Sequence, residues 1–254
     1  MSKNKLKKFA EMETFSNVFQ CGMQDLESSE VKAMAGHWRE NYFKNNNPIV
    51  LELGCGRGEY TVGLAQKNPN KNYIGIDIKG ARMWAGAKQA ELAGMKNVAF
   101  LRINIEMLCH FFAANEVDEI WITFPDPQMK KVTKRLTSTY FMERYHQVMK
   151  PNGIIHLKTD SPFLYTYTEA MVLENNYAIV VNTSNLYEAE PSAKIEDARS
   201  LKTHYEKQWL DRGLTIKYIA WELPARLSLI EPHIEIEKDS YRSYGRNYVS
   251  STNN

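Results

Sequence analysis

The hydrophobic pattern of the chain predicts strands that alternate with helices from residue 49 onward. Residues 49–53 are apolar apart from Glu52, which is typical of a strand buried on both faces of a parallel sheet. Residues 59–67 follow as a helix with Leu64 and Ala65 on its inner side. Further strands are predicted at 72–78, 98–103, 119–124, 154–158, 178–183 and 215–221, and further helices at 80–93, 105–112, 136–149, 162–175 and 203–210.

This alternation predicts an α/β fold, a doubly wound and mostly parallel seven-stranded sheet with helices on both faces. In such sheets ligands bind at the carboxyl ends of the strands. Polar side chains stand at five of those ends: Glu52, Asp77, Asn104, Asp126 and Asp160. They predict a polar binding site along one edge of the sheet.

The segments outside the alternating pattern divide the chain into a basic N-terminal arm and packing helix (1–45), a central domain (46–223) and a C-terminal tail (224–254). We expect residues 1–20 to be a mobile, solvated tail rather than a basic arm on RNA. Residues 28–46 predict an amphipathic helix, and 184–202 are polar and irregular. The tail interleaves aromatic and cationic residues, which suits either contact with RNA or a strap over the surface: Tyr241, Arg242, Tyr244, Arg246 and Tyr248.

Composition narrows the class of protein only moderately. The 254 residues suit one large domain with appendages, and 43% hydrophobic content supports an ordinary core. We find no apolar run long enough for a membrane span and no signal peptide. Three widely spaced cysteines indicate a reducing cytoplasm and no zinc site. Because the net charge is only +2, any site for a polyanion must arise from local clusters.

The loop after the first strand carries the first chemical signal. Gly54, Gly56 and Gly58 let the backbone turn sharply and approach a ligand closely. The spacing differs from the dinucleotide-binding pattern, and no P-loop lysine follows. With Glu52 before it, this loop resembles motif I of the class I S-adenosylmethionine-dependent methyltransferases. Asp77, about 20 residues later at a strand end, is placed to bind both hydroxyls of a ribose.

Residues 124–135, Phe-Pro-Asp-Pro-Gln-Met-Lys-Lys-Val-Thr-Lys-Arg, carry the second signal. Two prolines hold Asp126 in a rigid turn at a strand end. A basic run without an intervening acid follows, formed by Lys130, Lys131, Lys134 and Arg135. This arrangement suits a polyanion whose phosphates meet the cations while one base meets Asp126.

The Phe-Pro-Asp-Pro and Lys-Lys residues, the Thr-Asp that ends the next strand and a later Thr-x-x-Glu together resemble the bacterial tRNA (guanine-N7)-methyltransferases, which modify position 46 in the variable loop. The resemblance covers residues 49–222 and implies S-adenosylmethionine as cofactor. It places Glu52, Asp77 and Asn104 in the cofactor site beside the glycine loop. It also implies that Asp126 is the catalytic carboxylate shared by both ligands, and that the guanosine is held by Lys130, Asp160 and the segment from Thr203 to Glu206.

The sequence departs from this family at three points. Asn104 stands where the family usually has Asp, Gln128 replaces Trp, and the basic loop is a residue or two shorter. Guanine N7 has a lone pair and no proton, so methyl transfer needs orientation rather than a strong base. Acceptor-only carboxylates at Asp126, Asp160 and Glu206 match the N–H donors of guanine. Alternatively, Asp160 caps the next helix and Glu206 pairs with Lys202 on the helix surface.

The leading hypothesis is therefore a cytoplasmic tRNA guanine-N7 methyltransferase that needs no metal and no membrane. Two others stay open, a small-molecule methyltransferase and a tRNA-binding protein with a degenerate cofactor site. The sequence leaves the choice between monomer and homodimer open.

Overall fold

One mixed sheet organises the part of the chain that this computed structural model describes, residues 3–22 and 33–240. Its eight strands lie in the order β1-β4-β3-β2-β5-β6-β8-β7. The strands are β1 Val18–Gln20, β2 Ile49–Leu53, β3 Asn72–Ile76, β4 Val98–Arg102, β5 Val117–Thr123, β6 Met149–Thr159, β7 Ile179–Thr183 and β8 Lys217–Leu223.

Helices cover both faces of the sheet and enclose a hydrophobic core on each. Along β2, Leu51 and Leu53 point into one core and Val50 into the other, as the two-residue period of a strand requires. The α-helices are α1 Lys3–Met12, α2 Glu59–Lys67, α3 Gly80–Leu92, α4 Thr139–Val148, α5 Pro162–Glu174, α6 Ala193–Ser200 and α7 His204–Asp211. Short 3₁₀ helices lie at Ile105–His110 and Val132–Lys134, and a π-helix at Trp38–Phe43.

The strand directions confirm the predicted fold class. β8 is antiparallel to β6 and β7, and the other neighbouring strands are parallel. From β2 the chain moves outward through β3 and β4, then returns to place β5 on the other side of β2. A crevice forms where the order of strands reverses, so the predicted site is expected at the carboxyl ends of β2 and β5.

The N-terminal segment corrects two predictions, the solvated tail and the count of seven strands. Residues 3–12 form α1, which packs on α3 with Met12 only 1% exposed. Val18–Gln20 then pairs with β4 as the eighth strand. A three-residue strand is too short to show a hydrophobic period, and α1 is stabilised by tertiary packing that its lysine-rich composition conceals.

Other segments also differ from the prediction. The helix predicted at 28–46 is a π-helix at Trp38–Phe43 in its described part, and it packs through fully buried Trp38; residues 23–32 lie outside the described part. Within 184–202, predicted to be irregular, α6 buries Ile195 and Ala198. β6 begins at Met149, earlier than predicted, because its first residue pairs with Val117 across a bulge.

Residues 224–240 continue as a strap without strands that contacts α5. The Asn175 side chain donates a hydrogen bond to the carbonyl of Ile230 and accepts one from its N–H. Asp239 accepts a hydrogen bond from the N–H of Phe163 at 3.0 Å. The aromatic and cationic residues of the predicted tail begin at Tyr241 and lie outside the described residues. The division of the chain at residues 45 and 223 stays a prediction.

Candidate active site

The glycine loop folds back over the end of β3. Gly54, Gly56 and Gly58 have φ angles of 76°, 54° and 72°, which favour glycine because a Cβ atom is strained there. The N–H groups of Gly54 and Cys55 donate to the carbonyl oxygen of Ile76 at 2.8 and 3.0 Å. Burial raises the pKa of the Cys55 thiol, which makes it a packing residue rather than a nucleophile.

Asp77 follows β3 and fixes the loop through its carboxylate. Oδ2 accepts a hydrogen bond from the N–H of Gly56 at 2.9 Å, and Oδ1 accepts one from the N–H of Lys79 at 2.8 Å. Each oxygen keeps a lone pair for another donor, and the side chain lines a cavity of about 500 Å³ at the carboxyl edge of the sheet. The contact of Asp77 with a ribose stays a prediction that this position suits.

Glu52 lies at the base of the same cavity and is 4% exposed. Its carboxylate accepts hydrogen bonds from the N–H and hydroxyl of Thr61 at 2.8 and 2.5 Å and from the hydroxyl of Thr123 at 2.7 Å. Burial raises the pKa of Glu52 to about 7, although these bonds oppose the shift; repulsion from Asp77 adds to it. The group therefore changes charge near neutral pH.

Replacing Glu52 with Gln is expected to alter how stability depends on pH. The folded pKa of about 7 exceeds the unfolded value of about 4.3, so the folded state binds more protons between them and the free energy of unfolding falls as pH rises. Glu52→Gln lacks this loss, so its free energy of unfolding relative to that of the wild type should rise by about 2.5 kcal/mol from pH 5 to pH 8. Urea denaturation of both proteins at the two pH values measures this gain, and an unchanged difference would contradict it.

Asp126 lies in a strained turn after β5. The residues that flank the Pro-Asp-Pro segment, Phe124 and Gln128, have φ angles of 48° and 47°. Such angles are rare for large side chains, and strained backbone persists where the surroundings hold it. Here the N–H of Phe124 donates to the carbonyl of Lys158 at 2.8 Å, and the N–H of Gln128 donates to Oδ1 of Asp126 at 3.0 Å. Asp126 is exposed and lines the cavity.

Asp160 and Thr203, both predicted substrate residues, also line the cavity. Asp160 directly follows β6 and is buried; the helix after it is capped by the Ser161 side chain, not by Asp160. Thr203 caps α7, and its hydroxyl accepts a hydrogen bond from the N–H of Glu206 at 3.2 Å. The two residues thus reach the site from different elements, β6 and α7.

Glu206 is not among the residues that line the cavity, and its predicted contact with guanosine stays a prediction. Its side chain is fully buried, and its carboxylate accepts hydrogen bonds from the Lys158 ammonium at 2.8 Å and the Tyr187 hydroxyl at 2.5 Å. Burial lowers the pKa of Lys158 to about 8, although attraction to Glu206 opposes the shift. The pair holds the start of α7 against β6. The alternative partner, Lys202, lies over the Tyr187 ring instead.

The basic run after Asp126 divides into two kinds of residue. Lys130 and Lys131 are exposed beside the cavity wall formed by Gln128, and neither makes an ion pair in the described part of the chain. Lys134 lines the cavity and pairs with Glu106 at 2.6 Å. The first two are therefore the cations of this loop that a phosphate reaches without displacing an acid.

Three predicted site residues do not line the cavity and instead contact other parts of the protein. Arg135 is 5% exposed and its guanidinium lies 4.4 Å from the centre of the Tyr167 ring, so its predicted contact with phosphate stays a prediction that this burial does not favour. A Cβ atom on Gly58 would lie 2.6 Å from the Phe100 ring, so this glycine lets α2 pack on the sheet. Asn104 is exposed and caps the 3₁₀ helix after β4.

Several residues on the cavity wall were not predicted from the sequence, and Tyr205 was predicted only as part of the segment from Thr203 to Glu206. Tyr205 and Trp209 lie one turn apart on α7, and Arg82 of α3 approaches the Tyr205 ring at 5.9 Å. Their four-residue spacing placed both aromatics on one side of a helix, but nothing in the sequence shows which side faces the cavity. Thr123 and Tyr60 complete the wall near Glu52.

Metal-binding clusters and membrane-spanning helices are other features that a chain of this size can carry. Among residues 3–22 and 33–240, no three His, Cys, Asp or Glu side chains form a group able to hold a metal. The same part of the chain contains no helix long and apolar enough to cross a membrane.

The doubly wound sheet, the glycine loop after its central strand and the carboxylate after the next strand define a class I S-adenosylmethionine-dependent methyltransferase. The residues present fit this cofactor, because Gly54 and Gly56 leave the cavity wall free of side chains and Asp77 offers acceptors for hydroxyl groups. A family model described as "Putative methyltransferase" matches residues 46–219.

Relatives narrow this class. A tRNA (guanine-N(7)-)-methyltransferase of Bacteroides fragilis is 58% identical over 246 residues, which cover 97% of this chain and 96% of the relative. One of Christiangramia forsetii is 52% identical over 87% of this chain and 99% of its own. The chain belongs to the tRNA (guanine-N7)-methyltransferase family and is an enzyme. The solved structure of the 16S rRNA methyltransferase KamB shares the fold, with a TM-score of 0.53, 14% identity and coverage of 80% of this chain and 94% of that one.

Proposed function

We propose that this chain transfers the methyl group of S-adenosylmethionine to N7 of a guanosine in the variable loop of tRNA, at position 46, in the cytoplasm. The observation that supports this most is the order of groups along one cavity. Asp77 follows β3 on one side, Asp160 follows β6 on the other, and Asp126 follows β5 between them. This order supports contacts of Asp126 with both the cofactor and the base.

The chain supplies orientation and negative charge. S-adenosylmethionine, when bound, supplies an electrophilic methyl group. Guanine N7 carries a lone pair and no proton, so no residue must remove a proton before transfer. Asp126, helped by Asp160 and Thr203, accepts hydrogen bonds from the base and holds its N7 toward the methyl group. Because methylation makes the ring cationic, the same carboxylates stabilise the developing charge.

The direct test is incubation of the protein with radiolabelled S-adenosylmethionine and unmodified tRNA, followed by nucleoside analysis. We expect the label in 7-methylguanosine, and sequencing of the product should place it in the variable loop. Label in another nucleoside would reject guanine N7 as the acceptor. Cofactor binding without transfer to tRNA would instead favour the small-molecule methyltransferase that the sequence left open.

The exposed loop cations give a separate prediction about tRNA binding. Lys130→Ala combined with Lys131→Ala should raise the Kd for tRNA about threefold to tenfold at low salt and make it depend less on salt, because each lysine displaces counterions from phosphate. Filter binding between 50 and 200 mM salt measures both effects. Lys44→Ala with Lys96→Ala is the matched control, since these exposed lysines precede β2 and β4 at the opposite edge of the sheet. Equal affinity of the two double variants would exclude the loop from binding.

A further inference from the structure

The lysine-rich helix α1 has a defined direction on the enzyme surface. A Cβ atom on Gly80, the first residue of α3, would lie 2.8 Å from the Phe9 ring. Further along both helices, the Trp84 indole N–H donates to Glu11 at 2.8 Å. Beyond the end of α1, the Ser16 hydroxyl donates to the side chain of Glu91 near the end of α3. The two helices therefore run in the same direction, and their first turns lie at the same end.

That shared end is the rim of the cavity. Lys79 and Arg82, at the start of α3, line the cavity directly. Since Phe9, at the end of the second turn of α1, lies beside the first residue of α3, the first two turns of α1 begin at this rim, and they carry Lys5, Lys7 and Lys8. Lys5 and Lys7 are exposed, and Lys8 is half-buried.

Five cations lie on α1 and at the start of α3, and we call them the α1–α3 surface: Lys5, Lys7, Lys8, Lys79 and Arg82. In residues 3–22 and 33–240 none of the five makes an ion pair. The nearest acid on α1, Glu11, is already neutralised by Lys88 at 2.6 Å. The Lys8 ammonium lies 4.5 Å from the centre of the Trp84 ring. The positive charge of the surface therefore reaches the second turn of α3.

We propose that the α1–α3 surface is a second RNA-binding face, which holds the tRNA backbone on the side of the cavity away from the Lys130 loop. The inference rests on the proposed function, because an RNA strand whose guanosine enters the cavity must leave over one of its rims. Unpaired lysines neutralise phosphates without reading sequence. A lipid surface fits less well, since Phe9 and Met12 pack against the protein, which leaves Leu6 as the one large apolar side chain of the described part of α1 that is more than half exposed.

The test uses the full chain with Lys5→Ala, Lys7→Ala and Lys8→Ala combined. We expect the KM for tRNA to rise about tenfold at 50 mM salt, with kcat and the Kd for S-adenosylmethionine unchanged. The slope of log KM against log salt should weaken by about 2, near 0.7 to 0.9 for each phosphate that the lysines no longer neutralise. The corresponding triple Arg variant should restore both values, which separates the removal of charge from a disturbed helix. Lys44→Ala with Lys96→Ala again serves as the control.

If the triple Ala variant had the same KM and salt slope as the wild type, the proposal would be overturned while the methyltransferase function stayed intact. Failure of the triple Arg variant to restore KM would also overturn it, because the lysines would then act through packing. If the wild type formed no 7-methylguanosine, the proposed function would fail first. Filter binding of tRNA to the wild type and the triple Ala variant would then still decide whether the surface holds RNA.

Discussion

Asp126→Ala is expected to lower kcat for methylation of tRNA by about a thousandfold, which corresponds to about 4 kcal/mol of transition-state stabilisation. The residue is exposed, so the substitution removes little packing. Its carboxylate is the acceptor between the cofactor side and the β6 side of the cavity. Without it, the base loses both an orienting hydrogen bond and a negative charge near the ring that becomes cationic.

Affinity for tRNA should change little in this variant, because contacts with phosphate supply most of the binding free energy. Single-turnover kinetics with bound tRNA measures the chemical step, and filter binding measures affinity. Circular dichroism and the urea midpoint should match those of the wild type.

Asp126→Asn separates the charge from the turn. The Asn side-chain oxygen still accepts the hydrogen bond from the N–H of Gln128, which in the wild type is 3.0 Å long, so the strained turn is kept. A neutral amide cannot stabilise positive charge as a carboxylate does, and we expect kcat to fall between the values for wild type and Asp126→Ala. If Asp126→Ala kept full activity, Asp126 would not be the shared carboxylate. If Asn matched wild type, the turn rather than the charge would be what matters.

Local sequence signals predicted the centre of the fold closely. The strand Ile49–Leu53 and helix Glu59–Lys67 have the predicted bounds, because a buried apolar run, a glycine loop and a helical period follow one another without conflict. Asp77, Asp126 and Asp160 were found by the same logic, since residues that follow parallel strands meet at one edge.

Elements stabilised by distant partners were not predictable in this way. α1 depends on contacts with α3 more than 70 residues away, such as that of Glu11 with Trp84. β6 was predicted to start after a Pro-Asn-Gly turn. Asn152 has a left-handed φ of 61° there, but the strand reaches back to Met149 because this residue pairs with Val117 on the far side of the bulge. α6 buries only Ile195 and Ala198, too few positions to reveal a helical period.

Glu206 is a site residue whose distant partner could likewise not be predicted from the sequence. The Thr-x-x-Glu spacing correctly predicted a capped helix, and Thr203 and Glu206 form the two reciprocal bonds of a capping box. The sequence did not show that the carboxylate is held by Lys158, which is 48 residues away. The buried pair positions the start of α7, where Thr203 and Tyr205 lie, and the predicted contact of Glu206 with guanosine stays a prediction.

Replacing Lys158 with Met is expected to lower the free energy of unfolding by about 3 to 5 kcal/mol, the largest effect on stability that we predict. The ammonium group is fully buried and donates to the carbonyls of Ala198 and Leu201 at 2.6 and 2.9 Å as well as to Glu206. Met fills a similar volume but leaves the Glu206 carboxylate buried without a cation. The measurement is urea denaturation at pH 7.

The double variant Lys158→Met with Glu206→Gln should recover part of this loss, because a neutral amide is cheaper to bury than an unpaired carboxylate. Glu206→Gln alone should be destabilised as well, since the ammonium then lacks its counterion. A double-mutant cycle over these proteins gives the interaction energy of the pair. Strictly additive effects would show that the two side chains do not stabilise each other.

Enzyme activity provides a second test of what the Lys158–Glu206 ion pair does. Lys158 anchors the chain at Ala198 and Leu201, and α7, which follows, carries Tyr205 and Trp209 to the cavity wall with Thr203 at its N-cap. Lys158→Met should therefore raise the KM for tRNA even at temperatures where the variant is fully folded, while the glycine loop keeps its affinity for S-adenosylmethionine. A folded variant with wild-type KM would mean that α7 keeps its position without the buried pair.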